Sequence, residues 1–368
     1  MIKEEGEMLD NKHKIKSSQL FVFIIAAQIG IGILTLPSII VEIAGHDAWI
    51  SVILAGIITS LALVIIMLLL NRYKDKSILE INKLLYGRYL GSIINLFIIT
   101  YTFIAATLGT RIFTDVIKVS ALKLTSPVVL TFFILIPAIY LAWYGLKAIC
   151  RFANTLLVIF SLVVIFFLIT HNDFRLTFLM PVADAGIGPI TMAIIPSFFG
   201  FLGIELVTII YPNITDKENA MKYALAANLF SMTFFVIVTG YSTGFFGEEM
   251  LKYMEFPLFN IARSYKAPVF ERIDLFFVAL WLPAMGSSIL KFFFSSYYSI
   301  NILFNIQKRG VLLSMVYISV VVLSRVPKDV VQTNQFLEVL NFIGIGFISF
   351  LCICYLLSFV NKRGVGIK

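Results

Sequence analysis

The chain has 368 residues, of which 60% are hydrophobic and only 14% are charged, and its mean hydropathy is +0.95. This composition excludes a soluble globular protein, because apolar runs of about 20 residues recur along the chain and each can cross the ~30 Å hydrocarbon core as a helix. The net charge of +8 does not indicate nucleic-acid binding, since it follows from an uneven distribution of lysine and arginine across a membrane.

The apolar runs predict an all-α polytopic membrane protein with ten spans. A shorter amphipathic segment, 77–89, is expected at the membrane interface between spans two and three. A cleavable signal is not expected, because 1–18 are polar and the first apolar run is too long for the core of a signal peptide. In chain order the predicted spans are 20–41, 48–70, 92–115, 127–145, 149–170, 189–210, 222–243, 273–298, 310–324 and 336–360.

The lysines and arginines predict that both termini face the cytoplasm. With the N-terminus inside, 19 of the 29 basic residues fall in inner segments, among them 71–91 and 291–310. The predicted organisation is a cytoplasmic tail over 1–18, a single transmembrane domain over 19–361 and a second cytoplasmic tail over 362–368.

The first span contains helix-breaking residues near its centre, in the stretch QIGIGILTLP that begins at Gln28. Gly30 and Gly32 favour departure from helical geometry, and Pro37 cannot donate a hydrogen bond to the carbonyl of Ile33. In lipid, unpaired backbone groups must line a protein cavity or meet a ligand. The N–H end of a broken helix attracts a carboxylate and the carbonyl end an ammonium or a metal cation, so a zwitterionic amino acid suits both. Close packing of small residues is the alternative explanation.

The sixth span repeats these features in the stretch PSFFGFLGIELVTIIYP. It contains Gly200 and Gly203, with a proline upstream and the ionisable Glu205 downstream. Spans one and six correspond if ten spans divide into two sets of five, and they then run in opposite directions because five is odd. This is typical of an inverted repeat, here over about 19–170 and 189–361, whose interrupted first helices face each other at the membrane midplane.

Several of these features are expected at one depth, because span centres can be estimated from a rise of about 1.5 Å per residue. The centre of span one falls near Ile31, and that of span three falls between Tyr101 and Ala105. The centres of spans six and eight fall near Gly200 and Ser287. Tyr101 and Ala105 share a helix face, on which Ala105 leaves room for a small ligand side chain.

Three polar side chains in the spans have two interpretations each. Glu205 can couple to a proton, hold a cation or contact a ligand, or it can anchor span six through a buried hydrogen bond, with Thr208 as a local partner. Ser287 and Ser288 can offer hydroxyl oxygens to a ligand or a sodium ion, or they can bond to the backbone of their own or a neighbouring helix.

The sequence contains no catalytic constellation, since it lacks a Walker loop, a nucleophile elbow and a metal-spaced His/Glu pair. Its three histidines, His13, His46 and His171, are scattered in terminal or loop positions. Enzyme activity, a cofactor and a bound metal are therefore not expected. Cys352 and Cys354 are interpreted as buried thiols, because residues two apart on a helix face different directions.

With these motifs the chain resembles the spore-germination permeases, the integral-membrane B subunits of the nutrient-germinant receptors of endospore-forming bacteria. This family lies within the amino acid–polyamine–organocation superfamily, and the resemblance covers nearly the whole chain. It rests on GIGILTLP at 30–37, YTFIAATLGTR at 101–111, FFGFLGIELVTIIYPNI at 198–214 and FERIDLFFVALW at 270–281, followed by the Ser287–Ser288 pair.

The resemblance implies a LeuT-like fold of five plus five helices with broken helices one and six. It implies an amino acid or similar small germinant between the broken spans, with spans three and eight as walls. It also implies two partners, a larger A subunit and a lipoprotein C subunit, in the lipid of the inner spore membrane. The predicted ligand-binding residues are Gly30, Ile31, Gly32, Ile33, Tyr101, Ala105, Gly200, Phe201, Leu202, Gly203, Glu205, Ser287 and Ser288.

Three functions are compatible with this reasoning. A ligand sensor closes around the germinant and passes the change to partner subunits, which requires only a difference in affinity for two conformations. A secondary active amino-acid transporter shares the fold and the pocket, coupled to protons through Glu205 or to sodium through Ser287 and Ser288. A water or ion conduit opened during germination is the third. The sensor is the preferred hypothesis.

Overall fold

The structure is a computed structural model that describes residues 12–30, 32–169, 173–264 and 273–360, and almost all of its regular structure is helical. Span one consists of the half-helices Ser17–Gln28 and Gly32–Ala44. Span six consists of Ile187–Met192, Ile194–Phe201, the 3-10 turn Ile204–Leu206 and Val207–Ile210. Spans two to five are Ala48–Arg72, Ile78–Ser120, Pro127–Tyr144 and Leu146–Ile169, and spans seven to ten are Ala220–Phe246, Ile273–Phe304, Arg309–Leu323 and Val330–Val360.

The length and hydropathy of these helices identify a multi-pass membrane protein. Within the described residues, seven helices are long and apolar enough to cross a membrane, and the two parts of span six form an eighth candidate with a bend of 46°. The two shorter apolar helices are Ser17–Gln28 and Arg309–Leu323, which are the first half of span one and span nine. The predicted architecture is confirmed, because every predicted span overlaps its observed helix and spans one and six are the broken ones.

A short helix precedes the apolar part of span three, in the region where the amphipathic segment 77–89 is predicted. The helix that begins at Ile78 changes direction at Gly87, whose φ of +82° is a conformation that favours glycine. The backbone N–H of Ser77 donates to Glu80 Oε2 at 2.8 Å and so stabilises the first turn. Gly87 thus separates the amphipathic segment from the long apolar helix.

Span eight lies in the interior of the bundle and organises the packing around the breaks. It packs against spans three, four and five and against the first half of span one. That first half also packs against spans five and seven, whereas the second half of span one packs against span two and against the helix Ile194–Phe201 of span six. The two broken spans therefore lie side by side inside the bundle.

The start of span one and the end of span six are joined by backbone hydrogen bonds. The Ile15 N–H donates to the carbonyl of Asn213 at 2.9 Å, and the Thr215 N–H donates to the carbonyl of Ile15 at 2.9 Å. The Ser17 N–H donates to a carboxylate oxygen of Asp216 at 2.6 Å, which satisfies one free donor of the first helical turn. These bonds hold the start of span one against the end of span six.

A histidine in the connection between spans one and two joins two other connections of the chain. His46 Nδ1 lies 2.9 Å from Glu248 Oε2, which follows span seven, and Nε2 lies 2.8 Å from the carbonyl oxygen of Pro181, which precedes span six. Both partners are acceptors, so the doubly protonated ring satisfies both contacts at once. Burial lowers the pKa of His46, but the hydrogen bonds to Glu248 and Pro181, together with the negative charges of Asp47 and Glu248, outweigh it and raise the pKa above its ordinary value of 6.5.

We expect the contacts of His46 to stabilise the protein more at acidic than at alkaline pH. Because the pKa is raised in the folded state, the stabilisation is complete below pH 6.5 and is lost as the pH rises through the folded-state pKa. His46→Gln should lower the free energy of unfolding at acidic pH by about 1 kcal/mol, a small value because Glu248 is partly exposed. Thermal unfolding midpoints of the purified protein between about pH 5 and pH 9 test this, and an unchanged pH dependence in the variant would contradict it.

Candidate ligand-binding site

The helix of span one stops and restarts at the glycine-rich stretch. Its first half ends at Gln28, and Ile29, with φ −84° and ψ 89°, leaves the helical conformation. The Ile29 N–H still donates to the carbonyl of Ile25 at 2.7 Å, and the second half begins at Gly32. The predicted site residue Ile31 lies outside the described residues. The last carbonyls of the first half and the first N–H groups of the second half therefore lack partners within the helix.

Span six is interrupted between Phe201 and Ile204. Leu202 is extended, with φ −61° and ψ 141°, and Gly203 has φ +116°, in the left-handed region that favours glycine. A Cβ atom added at Gly203 would lie 2.8 Å from the Cβ of Ala27 in span one, which is closer than real carbon atoms approach. Glycine is required here twice, by the backbone conformation and by the proximity of span one.

The two breaks lie directly against each other. Gln28 Nε2 donates to the carbonyl of Phe201 at 3.1 Å, which joins the end of the first half of span one to the end of a helix of span six. A Cβ atom added at Gly32 would lie 3.3 Å from a ring carbon of Phe199 and 3.6 Å from the Cα of Gly200. The interrupted helices therefore face each other, as the inverted-repeat pattern predicts.

A cavity of about 40 Å³ lies between the two breaks and spans three, eight and ten. A buried water needs roughly 10–15 Å³, so the cavity has room for a few waters. An amino acid can enter only if lining side chains move. Four residues of the predicted set line it: Gly32, Ala105, Leu202 and Ser288. The other lining residues are Ala27, Gln28, Gly109, Ile112, Phe199, Ile289, Phe292, Leu337 and Leu340, all but one of them apolar or glycine.

Gln28 is a lining side chain whose hydrogen bonding is incomplete. Its Nε2 donates to the carbonyl of Phe201 and to Asn228 Oδ1 at 3.0 Å, and these two acceptors fix the orientation of the amide. Its Oε1 is buried and has no hydrogen-bond partner among the described residues. An unpaired buried acceptor costs about 1–3 kcal/mol. The oxygen is itself buried, so a ligand can donate a hydrogen bond to it only after lining side chains move.

Glu205 and Tyr101 bind each other and do not line the cavity. The Tyr101 hydroxyl donates to Glu205 Oε1 at 2.8 Å, and the Gly203 N–H donates to Oε2 at 2.8 Å. The Thr208 hydroxyl donates to the backbone carbonyl of Glu205 at 2.7 Å. Both carboxylate oxygens have protein partners, and the carboxylate side chain is wholly buried. This geometry supports the interpretation of Glu205 as an anchor that joins span six to span three.

The two serines of span eight that belong to the predicted set are both engaged by protein groups. Ser288 Oγ donates to the carbonyl of Ala27 at 2.7 Å, at the end of the first half of span one. Ser287 Oγ accepts a hydrogen bond from Lys291 Nζ. Gly30 packs on the β-carbon of Ser288, with no space for a side chain. Of the two serines, Ser288 is the one at the cavity.

Three further residues of the predicted set lie in the surrounding core. Ile33 is fully buried, and Gly200 packs against Leu36 and Phe235. The ring of Phe201 also packs on that of Phe235, at 5.5 Å between ring centroids. Apart from the Phe201 carbonyl, which holds Gln28, these residues shape the breaks and do not line the cavity.

Two polar residues of this region are missing from the predicted set, Gln28 and Lys291. Gln28 is the polar residue at the edge of the first break, and this position in the sequence marks it as a candidate site residue. The charge count assigns Lys291 to the inner segment 291–310, and this assignment is wrong. The helix of span eight continues to Phe304, and Lys291 is buried within it.

Comparison with protein families agrees with this geometry. The chain matches the family described as spore germination protein over residues 14–333. It belongs to that family. Spore germination protein B2 of Bacillus subtilis (strain 168) is 23% identical over 365 residues, which cover 97% of this chain and 98% of that protein. The residues that match the family include both broken spans and span eight.

Other relatives and a solved structure agree with this assignment. Spore germination protein A2 of Bacillus subtilis (strain 168) is 26% identical over 353 residues, or 94% of this chain and 95% of that protein. Spore germination protein GerQB of Bacillus cereus is 25% identical over 272 residues, or 73% and 75% of the two chains. The crystal structure of MhsT in complex with L-phenylalanine matches with a TM-score of 0.69 at 16% identity and covers 94% of this chain and 89% of that chain. The fold is therefore LeuT-like.

The contact between Gly203 and Ala27 should make the second break intolerant of any side chain. Gly203→Ala forces a positive φ that costs about 1–2 kcal/mol and adds a carbon too close to Ala27. We expect a lower thermal unfolding midpoint in detergent. Gly240→Ala is the matched control, because a Cβ atom at Gly240 meets nothing within 4 Å. Equal midpoints for the two variants would contradict the close approach of spans one and six.

Proposed function

We propose that this chain is the membrane subunit of a spore nutrient receptor and that it binds a small amino acid in the cavity between the broken spans. The observation that carries the proposal is the buried, unpartnered Oε1 of Gln28 at a cavity where a half-helix begins at Gly32. The oxygen suits an α-ammonium, and the free N–H groups that follow Gly32 suit an α-carboxylate.

The remaining lining residues favour an amino acid with a small apolar side chain. Ala105, Gly109 and Ile112 line the wall from span three, and Phe292 and Leu340 line it from spans eight and ten. A charged ligand side chain among these residues would lose its hydration without gaining a partner. The ligand class that fits best is therefore a small aliphatic amino acid.

Ligand binding would act by stabilising one arrangement of the broken helices. Admitting an amino acid requires Phe199 and Leu202 to move, since both line the cavity next to the second break. A ligand shifts such an equilibrium only by its difference in affinity for the two arrangements. Because Leu202 is extended and Gly203 left-handed, the halves of span six can reorient without breaking helical hydrogen bonds.

The signal would pass to the other subunits of the receptor. We propose A-type and C-type receptor subunits as partners and the inner membrane of the spore as the location. Both termini would face the cytoplasm, because 18 of the 29 lysines and arginines then lie on the inner side, with Lys291 left out because it is buried within span eight.

Secondary active transport of an amino acid is the second candidate, favoured by the fold that the chain shares with MhsT. Uptake of labelled amino acid into proteoliposomes that contain the purified chain alone separates the two functions. Concentrative uptake would support transport and contradict a pure sensor, whereas binding without uptake would support the sensor.

Gln28→Met should weaken amino-acid binding at least tenfold, or about 1.4 kcal/mol, because methionine has a similar size but no carbonyl oxygen. Isothermal titration of the purified chain should detect binding of alanine, valine or leucine and none of lysine or glutamate. Gln19→Met, on the same half-helix but away from the cavity, is the control and should bind as the wild type does. Unchanged affinity in Gln28→Met, or preferred binding of a charged amino acid, would contradict the proposed site.

A further inference from the structure

Lys291 is a fully buried lysine within a membrane span. Span eight extends from Ile273 to Phe304, and no part of Lys291 is exposed. Lysines near the ends of membrane helices extend their ammonium groups to the interface, but this one does not. A charge in the interior of a membrane protein carries a large desolvation penalty, so its surroundings must compensate for it.

The ammonium group of Lys291 is held by uncharged groups of three spans. Nζ donates to the hydroxyl and to the backbone carbonyl of Ser287, and it lies 5.7 Å from the centre of the Phe23 ring in span one. Span five contributes the buried Cys150 near the ammonium. Across the described parts of the chain, no carboxylate forms an ion pair with Lys291. The positive charge therefore has no fixed negative counterpart.

Lys291 packs beside the first half of span one about one turn before the break, since its Nζ lies over the Phe23 ring and Ser288 contacts Ala27. The first half of span one ends close by, where the Ala27 carbonyl accepts the hydroxyl of Ser288, the residue next to Ser287. The carbonyl end of a helix carries a partial negative charge, which favours a cation in its vicinity. Hydroxyl and carbonyl oxygens are also the kind of ligand that hard metal cations take in proteins. The hydroxyl of Ser287 is already used by Lys291.

We infer that the Lys291 ammonium is the resident cation of this junction between spans one, five and eight. It supplies, from within the chain, the positive charge that holds span eight to the carbonyl end of the broken first helix. Ligand binding by the chain therefore requires no sodium ion. This inference deepens the proposed function and, for its binding measurement, rests on it.

Two measurements on the unmodified chain test the inference without any substitution. The thermal unfolding midpoint should be the same in sodium chloride and in choline chloride at equal ionic strength. The affinity for the apolar amino acid that binds best in calorimetry should change less than about twofold between these salts. A midpoint or an affinity that rises specifically with sodium, by about tenfold in affinity, would overturn the inference.

Lys291→Met tests the charge itself while keeping the apolar stem. This variant should bind the amino acid at least tenfold more weakly in choline chloride, and sodium or lithium should partly restore both its affinity and its unfolding midpoint. Lys308→Met, which removes an exposed lysine beyond the same helix, is the matched control and should behave as the wild type in both salts. Lys291→Arg keeps the charge and should remain independent of sodium.

The outcomes separate this inference from the proposed function. If no amino acid binds to the unmodified chain, the proposed function fails, and the salt dependence of the unfolding midpoints still decides the role of Lys291. If Lys291→Met does not fold, the unmodified chain and Lys291→Arg supply the test. If Lys291→Met binds the amino acid with wild-type affinity in choline chloride, Lys291 has only a structural role and the inference is overturned.

Discussion

The two helix breaks leave backbone N–H and C=O groups without helical partners, and these groups must find other partners inside the membrane. The rest of the structure depends on this requirement. In lipid no water is available to replace a lost helical hydrogen bond. The partners are side chains of other spans: the Ala27 carbonyl accepts the hydroxyl of Ser288, and the Phe201 carbonyl accepts the amide of Gln28. The carboxylate of Glu205 accepts an N–H of the second break. The first two bonds each fix one broken span against a neighbour, whereas the Glu205 bond lies within span six, which Tyr101 joins to span three through the same carboxylate.

The same requirement explains why charged residues occur in this interior. The buried carboxylate of Glu205 is held by the Tyr101 hydroxyl, and the buried ammonium of Lys291 is held by the Ser287 hydroxyl. Glu205 accepts an N–H of the break in span six, and Lys291 lies over Phe23 in the first half of span one. The two groups therefore stabilise the broken spans, whereas Gln28, which lines the cavity, keeps one buried acceptor without a partner among the described residues.

Hydropathy and the glycine pattern predict most of the fold, because span length and helix breaking are local properties of the sequence. The positions of both breaks follow in this way, and so does the separate helix before Gly87. The hydrogen-bond partners of the groups at the breaks cannot be predicted in this way, because they are distant in the chain. Gln28 and Phe201, for example, are 173 positions apart. The burial of Lys291 does not follow either: the predicted span 273–298 contains it near the inner end, but only the packing of neighbouring helices decides whether its ammonium group reaches the interface.

The central claim is that the two breaks enclose a site for a small amino acid. The most direct measurement is a density map of the purified chain with a saturating apolar amino acid. We predict density for one ligand between the breaks, with its ammonium at about 3 Å from Gln28 Oε1 and its carboxylate at the N–H groups that follow Gly32. A map in which spans one and six are continuous helices, or in which the ligand binds elsewhere and the cavity stays filled by protein side chains, would contradict the account.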